Sequence, residues 1–402
     1  MRKLKIGDVG KIITGKTPKT SVTEYYNDEF PFITPADFSE LKAIRNTSKK
    51  ISMLGLNSIK NCLIPKHSIC VTCIGSDMGK VAITEIDSAT NQQINSVVPY
   101  EDFDPDFIYY AIKYASPHIK LMGETSTAVP IINKKDFSKV EIFCPETKEE
   151  QVSIANQLAI YDRKIEKNVI HMMLLKEIVS VVYKNWFNDF NYLSSTGELV
   201  KNKNLNRDVP SGWNVLQFKD FLTPNSEKIG DVDAPIYSTT NKGITFRDEK
   251  FNKNLTKSQK NNKKVVKDDL IFGLSREILN FGVFTDEIGS VSPAYQIFKI
   301  DQSVILPFIL ELEIRINMSR YMDILQLGAR EGQGIRKDYL LHKHFLVPKM
   351  EVQQEFSKIY IVMQKKISKL KEENDVLSEI RDTLLPKLMS RELPVEVDEA
   401  NV

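Results

Sequence analysis

Two unbroken heptad runs, half a chain apart, constrain this sequence more than anything else in it. From Ile154, a positions fall at Ile154, Tyr161, Asn168, Leu175 and Val182, and d positions at Leu158, Ile165, Met172, Val179 and Trp186. A second run places Phe356, Met363, Leu370, Leu377 and Leu384 at a, and Tyr360, Ile367, Asn374, Arg381 and Leu388 at d. Alternating spacings of three and four over about five heptads define a coiled-coil seam rather than a generic amphipathic face. Each helix of about 38 residues would span roughly 57 Å at 1.5 Å per residue. Pro145 and Pro348 stand just ahead of the helices, where proline suits the leading turn. Pro386 lies inside the second seam and is expected to kink or end that helix. Two such helices in one chain pair most simply with each other. Antiparallel pairing would put a globule at each end and let the mid-helix residues Asn168 and Asn374 meet, fixing register.

What precedes each helix is also said twice. Residues 134–151 read "KKDFSKVEIFCPETKEEQ" and residues 336–354 read "RKDYLLHKHFLVPKMEVQQ". Both run basic, Lys, Asp, aromatic, then an apolar strand, a proline and a Gln-containing helix start. "PKHSICVTCIG" (65–75) echoes "VKDDLIFGLSR" (266–276), and "FIYYAIK" (107–113) echoes "FILELEI" (308–314). Several matches in one order at about half a chain's offset mean two copies of one unit. The fold class expected is α/β (α+β): two similar globular domains separated by two long helices that form an antiparallel coiled coil. The boundaries are 1–147 for the first domain, 148–190 for its helix, 191–209 for a polar linker, 210–349 for the second domain, 350–393 for its helix and 394–402 for a tail.

Composition narrows the function classes. Four cysteines in 402 residues argue against a disulfide framework and for a reducing, cytoplasmic setting. There is no apolar leader at the start, and no uncharged apolar run long enough to span a membrane. The net charge of +2 is uninformative, but its distribution is not. Residues 41–76 hold no acid and carry Lys42, Arg45, Lys49, Lys50, Lys60 and Lys66. Residues 251–267 also hold none and carry Lys253, Lys257, Lys260, Lys263, Lys264 and Lys267. Basic tracts at matching places in both copies point to a polyanion surface on each globule. Two such globules on a rigid rod would act as a ruler for DNA half-sites.

Catalytic motifs fail on context. "GKIITGKT" (10–17) spells the P-loop pattern, yet Pro18 biases Thr17 away from helix and no apolar helical stripe follows. Pro105-Asp106 with Glu146 and Lys148 loosely fits a metal-dependent nuclease pattern, but the last two sit at the start of the long helix. Cys70 and Cys73, near Cys62 and His67, suggest zinc. They lie on a strand where positions three apart face opposite sides, and the second copy has no cysteine. The sequence reads as a binding and assembling protein rather than a catalyst.

The order globule, helix, globule, helix resembles the DNA-specificity subunit of Type I restriction–modification systems over essentially the whole chain. The resemblance is carried by "KIGDVGKIITGKTP" (5–18), "PFITPADF" (31–38), "GKVAI" (79–83), "TNQQINSVVP" (90–99), "VPSGW" (209–213) and "RDTLLPKLMSREL" (381–393). It departs at Arg391, where the family usually has glycine. The resemblance implies two target-recognition domains, each reading half of a bipartite, asymmetric double-stranded DNA target. It implies that the coiled coil sets the spacer and docks two methyltransferase subunits, with motor/endonuclease subunits also joining. S-adenosylmethionine, ATP and Mg would sit on those partners, with no cofactor, metal or catalytic residue in this chain.

For DNA contacts, the first domain offers Lys16, Thr17, Lys19, Ser76, Lys80, Thr125, Ser126, Thr127 and Lys134. The second offers Ser275, Arg276, Arg330, Gln333, Arg336 and Lys337. Arg330 and Gln333 suit guanine and adenine edges, whereas lysines suit phosphates. Asn91 and Gln92 are the residues that would instead hold the first loop together. Two alternatives compete with this reading: a protein-binding coiled-coil adaptor, and the specificity half of a single-chain methyltransferase or nuclease.

Overall fold

The computed structural model describes residues 1–75, 77–124, 130–192, 198–247, 259–275, 278–325 and 334–393. The chain divides into two compact units, Met1–Met172 with Ser368–Val402, and Met173–Ile367. The division cuts both long helices, so each unit owns one globule and a portion of each helix. Among the described residues, no helix is long and apolar enough to cross a membrane.

In the first unit a five-stranded sheet runs in the order Gly10–Thr14, Ile94–Pro99, Ile69–Thr72, Val81–Thr84, Ala43–Ile44. A four-stranded sheet runs Lys49–Ile51, Phe30–Ile33, Ser88–Thr90, Leu63–Ile64. Arg2–Lys5 pairs antiparallel with Glu141–Cys144. The helix Pro105–Glu124 buries Phe107, Ile108, Ile112 and Ile119 in the main core. Its start is fixed by chemistry: Pro105 needs no N–H partner, and Asp104 Oδ1 accepts from Phe107 N at 2.8 Å.

The second unit repeats this topology. Leu222–Asn225, Gln296–Ile300, Leu270–Phe272 and Phe281–Val283 reproduce the first four strands of the larger sheet in order. Gly243–Phe246, Ile236–Thr240, Ile288–Val291 and Lys263–Val266 reproduce the smaller one, down to its single parallel pairing: Phe30–Ile33 with Ser88–Thr90 in one unit, Ile236–Thr240 with Ile288–Val291 in the other. Asn214–Gln217 pairs with His344–Val347 as Arg2–Lys5 does with Glu141–Cys144.

The duplication extends to single hydrogen bonds. Gln151 Oε1 accepts from Asp104 N at 2.9 Å, and Gln353 Oε1 accepts from Leu306 N at 2.8 Å. Each buried glutamine thus ties the start of its long helix to the start of the globule's own helix, Pro105–Glu124 or Pro307–Ile316.

The long helices are Lys148–Tyr183, extended by a π-helical turn Lys184–Asn188, and Met350–Met389. No a or d position of either heptad run is exposed. Within the first unit the pairing is antiparallel. Glu150 meets Arg391, Asp162 meets Arg381, and Asn168 Nδ2 donates to Asn374 Oδ1 at 2.9 Å. Within the second unit Tyr183, Trp186 and Phe187 pack on Phe356.

A buried carboxylate joins helix to globule in both units, with the roles exchanged. In the first, Asp162 of the long helix accepts from the Tyr110 hydroxyl of the globule and from Arg381 Nη1 at 2.6 Å. In the second, Tyr183 of the long helix donates to Glu313 of the globule at 3.0 Å. Glu313 also accepts from Tyr321, Asn317 and Arg320. Burial and the adjacent carboxylate push the phenols of Tyr110 and Tyr183 well up, so both remain donors.

Two sequence expectations need correction. Pro386 neither ends nor visibly interrupts the second helix, which continues to Met389. The helix stops at Arg391, whose φ of +61° is left-handed. Glu392 N bonds Lys387 O at 2.9 Å and Arg391 N bonds Leu388 O at 3.3 Å, the paired bonds of a Schellman cap. Arginine in place of glycine costs about 1–2 kcal/mol there. It is answered by hydrogen bonds from Arg391 Nη2 to both Glu150 oxygens, at 2.7 and 2.8 Å. The polar linker carries a hairpin, Leu199–Asn202 paired with Arg207–Pro210, rather than irregular chain alone. The first long helix belongs partly to each unit.

Candidate nucleic-acid interface

In the first globule the strand Gly10–Thr14, the turn Lys60–Cys62 and the short helix Lys134–Ser138 border a cleft of about 620 Å³. Lys11, Lys60 and Lys134 line it, with Thr14 and Asn61 as neutral polar groups and no carboxylate. Among the described residues, none of those three lysines forms an ion pair. Lys134 is placed by Asn133, whose Oδ1 caps the short helix by accepting from Asp136 N at 2.9 Å. Beside the cleft, burial pushes the Cys62 thiol up while the charge of Lys16 pulls it down, so Lys16 adds to the same positive field.

The "TGKTP" loop leaves the strand Gly10–Thr14 and turns against residues 90–94. Gly15 N bonds Ile94 O at 3.0 Å and Lys16 N bonds Thr90 O at 2.9 Å. A Cβ on Gly15 would lie 2.1 Å from Asn91 O and 2.3 Å from Thr90 Oγ1, so only glycine passes there. The Thr17 hydroxyl donates to Gln92 Oε1. Gln92 therefore holds the loop, and Asn91 braces it by donating to Gln93 Oε1 at 3.0 Å. Lys16 and Lys19 point outward. No helix follows Thr17; the next helical turn is the short Thr23–Tyr25. The loop lacks the helix N-terminus that a P-loop aims at phosphates.

The second globule has cations at the corresponding place. Lys263 follows the turn Gln259–Asn261, the counterpart of Lys60–Cys62, and Lys337 starts the counterpart of Lys134–Ser138. Burial first, and then the charge of Lys337, hold Lys263 below the ordinary lysine range. Lys263 Nζ donates to Tyr295 O at 2.6 Å. Arg336 lies over the Tyr339 ring at 4.5 Å and donates to the Asp323 carbonyl.

Other expected contacts fare differently. Lys80 is exposed but paired with Asp77 at 2.7 Å. Ser275 is buried, its hydroxyl accepting from Asn280 N at 2.8 Å, and is a turn-building residue rather than a surface contact. Ser76, Thr125, Ser126, Thr127, Arg276, Arg330 and Gln333 lie outside the described residues.

The acid-free tracts are not acid-free in space. Lys42 pairs with Asp106 at 2.6 Å, and Arg45 engages Glu85 and Glu166. In the second tract Lys260, Lys264 and Lys267 pair with Asp231, Glu227 and Glu287. Lys253 and Lys257 lie outside the described residues. Lys60 is the member of the first tract that lines the cleft. Lys11 escaped the sequence reading as a contact, although it alternates with buried Ile12 on its strand.

The cysteines have structural roles. Cys70 contacts Ser96 Oγ, Cys73 donates to Val71 O, and burial pushes both thiols up to about 12. Among the described residues no cluster of His, Cys, Asp or Glu is arranged to hold a metal ion.

Residues 1–172 match the family described as "Type I restriction modification DNA specificity domain". Along its length the chain is similar to the MjaIX specificity subunit of Methanocaldococcus jannaschii, a Type I restriction enzyme component. Identity is 26% over 423 residues, 98% of this chain and 93% of that one. A shorter stretch is 34% identical over 166 residues to the Type I HindI specificity subunit of Haemophilus influenzae, covering 41% of this chain and 36% of that one. A crystal structure of a Type I restriction–modification S subunit from M. genitalium aligns over 96% of this chain and 95% of that one, with TM-score 0.46 and 17% identity.

Proposed function

Because this chain belongs to the Type I restriction–modification specificity subunits, we propose that its two globules each read one half of a bipartite, asymmetric DNA target. The duplicated fold, with a lysine cluster at the same place in both copies, carries this reading. In the first copy Lys11, Lys60 and Lys134, with Lys16 and Lys19 on the adjoining loop, take backbone phosphates and set register. In the second, Lys263, Arg336 and Lys337 do so. Phosphate contacts position the protein, and base edges are read by polar loop residues, with Arg330 and Gln333 the leading candidates.

The chain itself is non-catalytic in this reading. Methylation, with S-adenosylmethionine, and ATP-driven translocation and cleavage, with Mg, belong to modification and restriction subunits. Docking of two modification subunits is supported by apolar side chains exposed on the helices, among them Ile160 and Ile170 on the first and Val376 and Ile380 on the second. The helices set the unread gap between half-sites.

The test is equilibrium binding of duplex DNA across a salt series. Each of Lys11→Ala, Lys60→Ala and Lys134→Ala should lower affinity on any sequence and reduce the slope of log K against log salt by about 1. A salt-independent affinity in the parent protein would overturn the reading. Replacing residues 210–349 by the same domain of a relative should change one half of the methylated sequence only. A change in both halves would rule out independent reading.

A further inference from the structure

Next to Arg336, whose guanidinium lies over the Tyr339 ring, the second unit has a half-open cavity of about 540 Å³ between its hairpin, the turn Met318–Ile324 and the segment Tyr339–Leu346. This volume falls in the range of small-molecule sites, about 300–1,000 Å³. The charged groups around it do not cancel. Arg320 answers Glu313 at 3.2 Å, and Lys343 answers Asp323 at 2.7 Å. Arg207 answers nothing: among the described residues no carboxylate pairs with it and no acceptor takes a hydrogen bond from its guanidinium. The ring of Phe190 lies 5.6 Å away, and Glu313 is the carboxylate whose charge acts on Arg207 without bonding it. Burial, and then the like charge of Arg320, hold Arg207 below the usual guanidinium range.

A half-buried guanidinium has five donors and a fork geometry made for oxyanions, and leaving it without an acceptor is costly. Lys343, already paired with Asp323, adds positive charge at the wall beside His342 and His344. Tyr339, Tyr321 and Phe345 supply aromatic surface on the same cavity. We propose that this cavity binds a small phosphorylated ligand, its phosphoryl oxygens bridging Arg207 and Arg320 and its organic part lying against the tyrosines. A dianion between the two guanidiniums removes their mutual repulsion and gives Arg207 its missing acceptors. Glu313 lines the cavity as well; its oxygens accept from Tyr183, Tyr321, Asn317 and Arg320, and Arg320 offsets its charge.

The experiment is calorimetric titration of the full chain with AMP, inorganic phosphate and adenosine at constant ionic strength. AMP should bind, phosphate should bind more weakly, and adenosine should not bind. Arg207→Met, which keeps an apolar stem and removes the guanidinium, should weaken AMP by about tenfold or more. Equal binding of AMP and phosphate would identify the free anion as the ligand. A second measurement needs no variant: AMP should protect Arg207 of the unaltered protein from phenylglyoxal, read by peptide mass. The proposal is overturned if neither AMP nor phosphate binds, if adenosine binds as tightly as AMP, if Arg207→Met folds and binds unchanged, or if Arg207 is not protected.

Discussion

Replacing Arg381 by methionine tests whether the first globule is locked to the coiled coil by one buried charge pair. The Arg381 and Asp162 side chains are each only 6% exposed, and they meet at 2.6 Å. Methionine keeps most of the stem's packing but removes the cation. Asp162 would then sit buried with the Tyr110 hydroxyl as its remaining side-chain partner. Breaking one side of such a pair costs about 3–5 kcal/mol, because the orphaned charge stays desolvated. With a urea m value of about 2.5 kcal/mol/M, a 4 kcal/mol loss lowers the midpoint by about 1.6 M.

The protein carries its own domain-resolved probes for this measurement. Both tryptophans, Trp186 and Trp213, lie in the second unit, so their emission follows that unit, while far-UV circular dichroism follows both. The early loss of dichroism in Arg381→Met should therefore precede the tryptophan transition. Adding Asp162→Asn removes the orphaned charge and keeps an acceptor for Tyr110. The double variant should recover about 1–3 kcal/mol of the loss. A midpoint shift below about 0.5 M, or a double variant no more stable than Arg381→Met, would refute the claim that this pair fastens the globule.

Gly15→Ala should destabilise the first unit by about 1–3 kcal/mol, since its Cβ meets backbone and side-chain oxygen with no room to yield; thermal unfolding and duplex affinity should both fall, and unchanged values would disprove the close approach. Arg391→Gly should change stability little, because relief of a left-handed arginine offsets loss of the half-exposed Glu150 pair; a large loss in urea unfolding would show that the ion pair dominates. Asp382 is partly desolvated, yet bonding to Arg381 and the charge of Lys113 hold its carboxyl below the usual range. Its contribution is thus present above the unfolded carboxyl value near pH 4 and lost as pH falls through the lower folded value, so Asp382→Asn should be less stable than the parent at pH 6 and converge with it as pH falls below that folded value.

Periodicity carried the helices, and it did so because heptads report contacts between residues close in sequence. Asn168 and Asn374 could be paired on paper since register follows once two seams are assumed antiparallel. The duplicated strands were visible only in outline: a few short echoes became ten strands matched between the units. Charge was the weakest guide. Lys42 and Arg45 look free in a tract without acids, yet Asp106 and Glu166 reach them from distant segments. Ser275 looked like a loop contact because hydroxyl residues suit both surfaces and turns, and only burial separates the two. Lys11 was overlooked because one lysine on an apolar strand carries no sequence-level mark of the cleft it borders.

The first unit is closed by residues from the far end of the chain. Leu385, Leu388 and Met389 complete its core, and Arg381 reaches Asp162 across 219 positions. At about 5–20 residues per second of synthesis, Asp162 waits on the order of 10–40 s for its partner to emerge. The first globule made is therefore the last one finished. A nascent or truncated chain would present an unneutralised aspartate and an open apolar seam. Under the proposed function, both globules would be complete only once synthesis has run through to the second helix.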